Sequence, residues 1–284
     1  NNRWLFRTSA WLPSKDDWRL CLSCVSAEER RHVEQFLHRR DSKAALASRL
    51  LARRFGTSAT GLDNSQLTAC LQRSDKGRPF LAGFEADFNI SHQGDVLILC
   101  GVCGPGLRVG CDVMKATLPR GESSAESFFR IMRRQLTEDE WRFVRSHGGD
   151  SQQLAAFYRI WCLKESVVKA TGDGIGFSLS RLNCQPDPDF LFDAADLPLT
   201  TSRSIVYIDG SASSDWLFEE HRLPLGHVAA VAWQRRGGGA GSHVTLEAFT
   251  ELAPLSSSIC DGLQPITVSH DSEMSYQNFC NKPA

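Results

Sequence analysis

The sequence predicts an α+β protein, because helical and strand periodicities both recur along its 284 residues. Residues 157–171 repeat apolar side chains at the 3.6-residue spacing of a helix. Residues 108–114 alternate instead, which places Val109, Cys111 and Val113 on one face of a strand. With 42% hydrophobic and 23% charged residues, the chain can bury an ordinary core. We therefore expect helices packed on antiparallel sheets.

Charge and hydropathy narrow the class of function. A net charge of −1 and a pI near 6.8 argue against general binding to nucleic acids or membrane surfaces. No apolar run approaches the roughly 20 residues that span a bilayer. The chain starts at Asn1 without a methionine, so an earlier targeting segment is left open, and no signal-peptide pattern follows. Ten cysteines spread through a chain of this size favour a reducing cytosol.

Two C-x-x-C pairs, Cys21/Cys24 and Cys100/Cys103, raise the possibility of a structural zinc site. Both pairs lie in runs that alternate like strands. Residues three apart on a strand point to opposite faces, so neither pair is expected to chelate a metal.

The elements of the first third are helix, turn and strand. Residues 27–55 are predicted to be helical, with a break near Asp41, whose side chain can cap a second helix. Between residues 27 and 54, eight Lys/Arg outnumber four Asp/Glu. Solvated helix faces have this composition, and so would a nucleic-acid-binding helical module, whose binding would depend steeply on salt.

The turn Arg73–Pro79 and the segment after it could contact phosphates. The turn, RSDKGRP, places three cations around a glycine, which suits phosphate binding by side chains and backbone N–H groups. An ordinary surface loop also has this composition. Residues 88–102 then read as a strand, a polar break that contains Ser91 and His92, and a buried strand.

The second half begins after a linker-like run, KATLPRGES, and we place the boundary near Leu118. The predicted parts are residues 1–118, residues 119–236 and an acidic, disordered tail of residues 237–284. In the second part, Thr137 and Glu140 form a capping box at the start of a helix. The predicted helices are residues 124–136 and 137–146, and the predicted strands are residues 202–209 and 227–234.

The helix of residues 157–171 carries the candidate chemistry. Trp161, Glu165 and Lys169 follow one another at i, i+4 and i+8 on one stripe, and glycines at 172, 174 and 176 end the helix. A Glu–Lys pair at this spacing is also a common surface pair worth about 0.2–0.5 kcal/mol. On the strand of residues 108–114, Asp112 and Met114 share the face opposite Val109.

These two motifs resemble the signatures of the 4′-phosphopantetheinyl transferases of the surfactin-synthetase type. The strand motif reads Gly110, Asp112 and Met114, and the helix motif reads Trp161, Lys164, Glu165 and Lys169. The segments WLPS, FNISHQGD and VGCDVMK resemble animal members of the family, and the resemblance covers roughly residues 3 to 236. It implies two similar α+β halves related by a pseudo-twofold axis.

The resemblance implies an enzyme, a holo-[acyl-carrier-protein] synthase. Such an enzyme transfers 4′-phosphopantetheine from coenzyme A to a serine of apo acyl or peptidyl carrier proteins and releases adenosine 3′,5′-bisphosphate. The implied carriers are acyl carrier domains of fatty acid synthase and of aminoadipate-semialdehyde dehydrogenase-like proteins. A monomer that binds neither nucleic acid nor membranes is expected. A catalytically weak coenzyme A-binding protein of the same fold is the alternative.

The resemblance also assigns the site residues. Glu165, Lys169 and Asp112 are the implied catalytic residues, and Asp112 and Glu165 would hold Mg²⁺. Lys164, on the neighbouring face, is a less certain participant. The implied coenzyme A-binding residues are Arg31, His32, Arg73, Ser74, Asp75, Lys76, Gly77, Arg78, Asn89, Ile90, Ser91, His92, Asp112, Glu165 and Lys169.

The chain departs from the family pattern at two positions. Many members have a third acid where this chain has Met114, and a water is the simplest substitute for its oxygen ligand. The family also holds the 3′-phosphate of coenzyme A with a basic residue of the first helix. His32 stands at that position with Arg31 beside it, which leaves open which of the two performs the role.

Overall fold

A computed structural model describes residues 2–188, 190, 200–201, 203–235, 247–266 and 272–283. The helices are α1 (Lys15–Ser23), α2 (Ala27–Glu34), α3 (Arg39–Thr60), α4 (Asn64–Cys70), α5 (Ala125–Met132), α6 (Glu138–Arg145), α7 (Asp150–Thr171), α8 (Ser256–Ile259) and α9 (Ser272–Asn281). The strands are β1 (Asn2–Arg7), β2 (Leu71–Arg73), β3 (Pro79–Leu81), β4 (Ala86–Gln93), β5 (Val96–Cys103), β6 (Leu107–Lys115), β7 (Leu182–Gln185), β8 (Thr200–Thr201), β9 (Ile205–Ile208), β10 (Ser211–Ala212), β11 (Trp216–Leu223), β12 (His227–Arg235) and β13 (Thr250–Leu252). The α+β class is confirmed.

The chain forms two compact units. The first unit combines Asn2–Cys103 with Phe249–Ala284, and the second is Gly104–Ala248. The predicted boundary near Leu118 is therefore too late in the chain. It fails because β6 pairs along its whole length with β12, more than 100 residues downstream, and so belongs to the second unit. The pseudo-twofold relation between halves stays a prediction.

The first unit is built on a four-stranded sheet of order β13-β1-β5-β4. β1, β5 and β4 are antiparallel, as predicted, whereas β13 joins β1 in parallel. A separate two-stranded ribbon pairs β2 with β3. Helix α3 packs on the sheet, and its Phe55 lies against Phe88 of β4 with ring centroids 5.4 Å apart. Ser91 and His92 lie inside β4, so the predicted polar break at these residues is wrong, and the turn comes at Gly94.

Two local predictions in the first unit are wrong. The run that contains Cys21 and Cys24 is helix α1, not a strand. A capping box between Ser14 and Asp17 starts this helix, and the alternation of apolar residues was a weaker signal. The predicted break in the arginine-rich helical region is present at residues 35–38, but the predicted cap is wrong, because α3 begins after His38 and Asp41 lies in its first turn.

The predicted disordered tail is folded where the structure describes it, and residues 237–246, 267–271 and 284 of that prediction lie outside the described residues. Phe279 stacks on Trp18 with ring centroids 4.0 Å apart. The indole of Trp11 donates to Ser256 Oγ at 3.0 Å. The acid Asp261 pairs with Arg54 at 2.9 Å. Polar composition therefore misled the prediction, because a few aromatic and charged contacts suffice to hold the segment.

The second unit contains an antiparallel sheet of order β6-β12-β11-β8 and a smaller one of order β10-β9-β7. The predicted strands at residues 202–209 and 227–234 correspond to β9 and β12, except that residue 202 lies outside the described residues. The capping box of Thr137 and Glu140 is confirmed at the start of α6. Helix α7 lies across β6 and β12 and ends at Gly172, whose φ of 77° is left-handed, as the glycine pattern predicted.

Among the described residues, no helix combines the length and hydropathy that crossing a bilayer requires. All ten cysteines carry free thiols, and Cys21 Sγ lies 3.5 Å from Cys260 Sγ.

Candidate active site

The candidate site of the second unit depends on the close approach of α7 to β6. A Cβ atom at Gly110 would lie 2.1 Å from the carbonyl oxygen of Ser166 and 2.4 Å from the backbone N of Ala170. Such distances are far inside van der Waals contact, so only glycine fits there. The glycine of the strand motif thus has a packing role: it lets the backbone of α7 lie directly on the strand, two residues before Asp112.

The stripe predicted on α7 is the partly exposed edge of an otherwise buried helix. From Cys162 to Ala170 every residue is buried except Glu165 and Lys169, and Trp161 continues the same edge one turn earlier. The spacing of i, i+4 and i+8 therefore identified the side of α7 that can meet a ligand. On β6, Met114 packs against the apolar cluster of this unit, which also contains Val167 and Val168.

Lys169 pairs with Asp112, so the alternative of a simple Glu–Lys surface pair within α7 does not describe this lysine. Its Nζ donates to Asp112 Oδ1 at 2.6 Å, and the carboxylate is almost fully buried. Burial alone would lower the pKa of Lys169, but the charge of Asp112 outweighs it and raises that pKa. Lys169 is therefore a cationic group held beside the carboxyl group of Asp112.

Glu165 lies in the field of the same aspartate. Burial raises the pKa of Glu165, the negative charge of Asp112 raises it further, and Lys169 opposes the change. A carboxylate with a raised pKa holds a proton more strongly, which suits a general base near neutral pH. The site thus combines two carboxyl groups with one cation.

The two carboxylates suit a magnesium ion. They are hard oxygen ligands, and the effect of Asp112 on the pKa of Glu165 shows a repulsion between them that a divalent cation would relieve. Among the described residues, no group of three or more His, Cys, Asp or Glu side chains could hold a metal. Asp112 and Glu165 are therefore the residues to test, with other ligands supplied by water or substrate.

Lys164 has a structural position. Its side chain is fully buried, its Nζ lies 2.5 Å from Glu140 Oε2, and it donates to the carbonyl oxygen of Gln135 at 2.9 Å. Glu140 in turn accepts from the backbone N of Thr137 and of Cys184 at 2.7 and 2.8 Å. The first lysine of the helix motif therefore fixes α7 to α6 and to the start of β7.

The first unit contains a cavity of about 630 Å³ that brings several predicted residues together. Arg73 and Gly77 of the turn line it with Ile90 and His92 of β4. Asn89 and Ser91 alternate with these two residues along β4, so they lie on its opposite face, where they are buried. The structure thus separates the predicted strand residues into two that face the cavity and two that do not.

The predicted turn is a tight hairpin connection between β2 and β3. The backbone N of Ser74 donates to Arg78 O at 2.9 Å, and Gly77 has a φ of 80°. Ser74, Asp75 and Lys76 are exposed at its tip. Arg78 forms a bidentate pair with Asp87, at 2.8 and 2.7 Å, which ties the turn to β4.

The two residues expected to hold the 3′-phosphate of coenzyme A lie on α2. Arg31 and His32 are both exposed, and neither lines the cavity. The cavity wall from α3 instead provides Arg49 and Arg53, which the sequence analysis did not select. Their four-residue spacing in an arginine-rich helix was the available signal. Arg53 and Arg54 form ion pairs with Glu29 and Asp261, so this helix is not one continuous basic face.

Comparison with known proteins identifies the family of the chain. Residues 9–104 match the family model "4′-phosphopantetheinyl transferase, N-terminal", and residues 108–232 match "4′-phosphopantetheinyl transferase superfamily". The gap between the two matches coincides with the structural division at Gly104.

Curated proteins match over most of the chain. It is 39% identical to the L-aminoadipate-semialdehyde dehydrogenase-phosphopantetheinyl transferase of Xenopus laevis, over 81% of this chain and 75% of that protein. The human protein of the same name is 38% identical over 83% of this chain and 75% of its own length. A phosphopantetheinyl transferase of Thraustochytrium is 33% identical over 81% and 77%.

The chain therefore belongs to the 4′-phosphopantetheinyl transferase superfamily. Membership supports transfer of a phosphopantetheine group to carrier proteins as its activity.

Proposed function

We propose that this chain transfers 4′-phosphopantetheine from coenzyme A to a serine of apo carrier proteins and releases adenosine 3′,5′-bisphosphate. The observation that carries the proposal is the Lys169–Asp112 pair at 2.6 Å beside the raised-pKa carboxylate of Glu165. This combination supplies a base, a fixed cation and two oxygen ligands. Those are the groups that attack on a diphosphate by a hydroxyl requires.

In the proposed reaction, the serine oxygen forms a bond to the β-phosphorus of coenzyme A. The bond from that phosphorus to the bridging oxygen breaks, and the electron pair leaves with adenosine 3′,5′-bisphosphate. Glu165 accepts the serine proton, directly or through a water. Lys169 stabilises negative charge on the diphosphate and the leaving group. Mg²⁺ held by Asp112 and Glu165 would screen the diphosphate charge.

The cavity of the first unit is the proposed site for the adenosine and phosphate groups of coenzyme A. Arg73 and Gly77 offer a guanidinium and an adjacent turn backbone, and His92 can donate a hydrogen bond. Lys76 at the exposed tip adds a further cation. Arg78 would support the turn through its pair with Asp87 rather than bind the ligand alone.

We also propose a docking surface for the carrier protein on the second unit. A groove of about 410 Å³ between α5 and α6 is lined by Phe129 and Trp141. Its cations are Arg130, Arg133, Arg142 and Arg145, and its acids are Glu126 and Glu138. A carrier protein presents its serine at the start of an acidic helix, so an apolar floor with a basic rim is complementary to it.

Mass spectrometry tests the transfer. An apo acyl carrier protein incubated with this chain, coenzyme A and Mg²⁺ should gain one phosphopantetheine on its serine. Omitting coenzyme A or replacing the serine by alanine provides the controls. A carrier that stays unmodified under these conditions would contradict the proposed function.

Ionic strength tests the docking surface. The Michaelis constant for the carrier should rise several-fold between about 20 and 150 mM salt, because exposed charges are screened over about 8–10 Å at the higher salt. Arg133→Glu should raise it further, with Arg120→Glu outside the groove as the control. A constant that is unchanged by salt and by Arg133→Glu argues against this surface.

A catalytically weak coenzyme A-binding protein is the second candidate, favoured by Met114 in place of a third acid. Metal-dependent turnover separates the two functions. The proposed carriers are acyl carrier domains of fatty acid synthase and of aminoadipate-semialdehyde dehydrogenase-like proteins, and the proposed state is a cytosolic monomer. The ten free thiols support a reducing compartment.

A further inference from the structure

The cavity of the first unit contains two arginines of α3 with different surroundings. Arg53 is almost fully buried, and Glu29 neutralises it: Arg53 Nε donates to Glu29 Oε2 at 2.9 Å, and Nη2 lies 2.7 Å from the same oxygen. Its Nη1 donates to Asn64 Oδ1 at 3.0 Å. Arg53 is thus committed to joining α2, α3 and α4.

Arg49, one turn earlier on α3, is not committed in this way. Its Nη1 donates to the carbonyl oxygen of Ala45 at 2.8 Å, within its own helix. Its Nε is buried and has no acceptor within hydrogen-bond distance in the described part of the chain. A buried donor without an acceptor is costly, and an anion in the cavity would relieve that cost.

A second cation lies near Arg49. Arg73 lines the same cavity and donates through Nη1 to Gly77 O at 2.8 Å, a neutral carbonyl. Burial lowers the pKa of Arg49, and Arg73 lowers it further, while Glu29 opposes them. Two guanidinium groups therefore repel each other at one wall of the cavity, and a doubly charged anion would bind between them favourably.

His32 is a poor source of positive charge here. Burial lowers the pKa of His32 below 6.5, and the charges of Arg49 and Arg73 lower it further. The imidazole therefore offers a hydrogen bond but is a weaker source of charge than an arginine. Arg31 beside it is exposed and does not line the cavity. Neither residue of α2 supplies the cation expected at the first helix.

We infer that Arg49 is the residue that recognises the 3′-phosphate of coenzyme A, with Arg73 as the second cation. The guanidinium of Arg49 would contact the phosphate through Nε and an Nη, the fork geometry that suits a phosphate. The inference rests on the proposed function. It adds a specificity-determining binding residue on α3, which distinguishes coenzyme A from its 3′-dephospho form and takes no part in proton transfer.

Steady-state kinetics with two nucleotides tests this role. Wild type, Arg49→Gln and Arg49→Lys are compared with coenzyme A and with 3′-dephospho-coenzyme A, using one apo carrier. Arg49→Gln should lower kcat/KM for coenzyme A about 10- to 100-fold, mainly through KM. It should leave kcat/KM for the dephospho form within about twofold. Arg49→Lys should restore part of the preference.

Arg40→Gln is the matched control, because Arg40 is an exposed arginine on the same helix that does not line the cavity. It should leave both nucleotides unaffected. A structural role for Arg49 would lower both rates by the same factor, and that result overturns the inference. The inference is also overturned if the wild-type protein has the same kcat/KM for coenzyme A and for the dephospho form.

Calorimetric titration with adenosine 3′,5′-bisphosphate keeps the inference separate from the proposed function. If wild type transfers no phosphopantetheine from either nucleotide, the function fails, but the bisphosphate should still bind more weakly to Arg49→Gln than to Arg40→Gln. Equal affinities in that titration overturn the role of Arg49.

Discussion

Helices α3 and α7 invite comparison, because each has 22 residues and each lies on the main sheet of its own unit. Both cross a strand at a glycine. At Gly101 under α3, a Cβ atom would lie 2.2 Å from the ring of Phe55. At Gly110 under α7, it would lie 2.1 Å from the backbone oxygen of Ser166. One helix is thus separated from its strand by an aromatic ring, and the other touches it with its backbone.

This difference corresponds to different chemistry. Because α7 lies directly on β6, Lys169 can reach Asp112 on the strand, and three charged groups from two elements form one site. Helix α3 contributes arginines to a cavity bordered by α2, α4 and the β2–β3 turn. Under the proposed function, α7 carries the catalytic residues and α3 carries an arginine that binds the ligand. Four sets of substitutions test this division of roles.

The largest effect is expected from Glu165→Gln. The substitution keeps the volume but removes the proposed base and metal ligand, so kcat should fall by about 10²–10⁴. The KM for coenzyme A should change far less, which is the opposite of the pattern expected at Arg49. Glu85→Gln, at an exposed glutamate of the first unit, is the control. A near-normal kcat in Glu165→Gln would remove α7 from the chemistry.

The two lysines of the helix motif should separate stability from activity. Lys164→Met leaves the carboxylate of Glu140 buried without its cation, and should cost about 3–5 kcal/mol in the free energy of unfolding. Lys169→Met also leaves a buried carboxylate, that of Asp112, without its cation, so it too should destabilise the fold, but in the folded fraction it should lower the transfer rate at least tenfold, whereas Lys164→Met should not. Urea denaturation and the carrier assay measure the two quantities. The division of roles is wrong if Lys164→Met unfolds at the wild-type urea concentration.

The two strand glycines test the packing itself. Gly110→Ala should destabilise the second unit by about 3 kcal/mol, because backbone atoms of α7 cannot move away without displacing the helix. Gly101→Ala should cost less, about 1–2 kcal/mol, because the ring of Phe55 can rotate. Hydrogen exchange of the α7 and α3 amides reports each unit separately. The opposite order of costs would contradict the comparison.

The smallest effect is expected at Met114. A thioether is a soft ligand and a poor match for Mg²⁺, and Met114 packs on the apolar cluster of the second unit. Met114→Ala should therefore leave the affinity for Mg²⁺ within about twofold, as measured by titration calorimetry. Met114→Glu should tighten it by adding a third carboxylate. If Met114→Ala lost as much affinity for Mg²⁺ as Asp112→Asn does, the thioether would be a ligand and this prediction would be wrong.

Much of α7 and β6 could be predicted because their signals are local. The stripe of Trp161, Glu165 and Lys169 follows from helical spacing, and the faces of β6 follow from alternation. The sequence alone did not show which charged side chains would be buried. Lys164 is buried because Glu140 lies on another helix, 24 residues upstream, and that pairing is a tertiary contact.

The same distinction explains the failures in the first unit. Alternation around Cys21 suggested a strand, although the Ser14–Asp17 capping box was a local signal for the correct helix. Arg49 could not be separated from the other arginines of its region, because only the fold shows which of them line the cavity. The tail was judged by composition, whereas its order depends on partners such as Trp18 that lie over 230 residues away.

The pairing of β13 with β1 affects how the protein can fold during synthesis. The second unit is one continuous stretch, so all of its described strands are synthesised before β13. Until then, β1 offers an unpaired edge, the kind of surface to which other chains can add. The second unit can complete its sheets first, although it follows most of the first unit in sequence. A chain that ends at residue 248 would therefore contain every described strand of the second unit, whereas the edge of β1 in the first unit would stay uncovered.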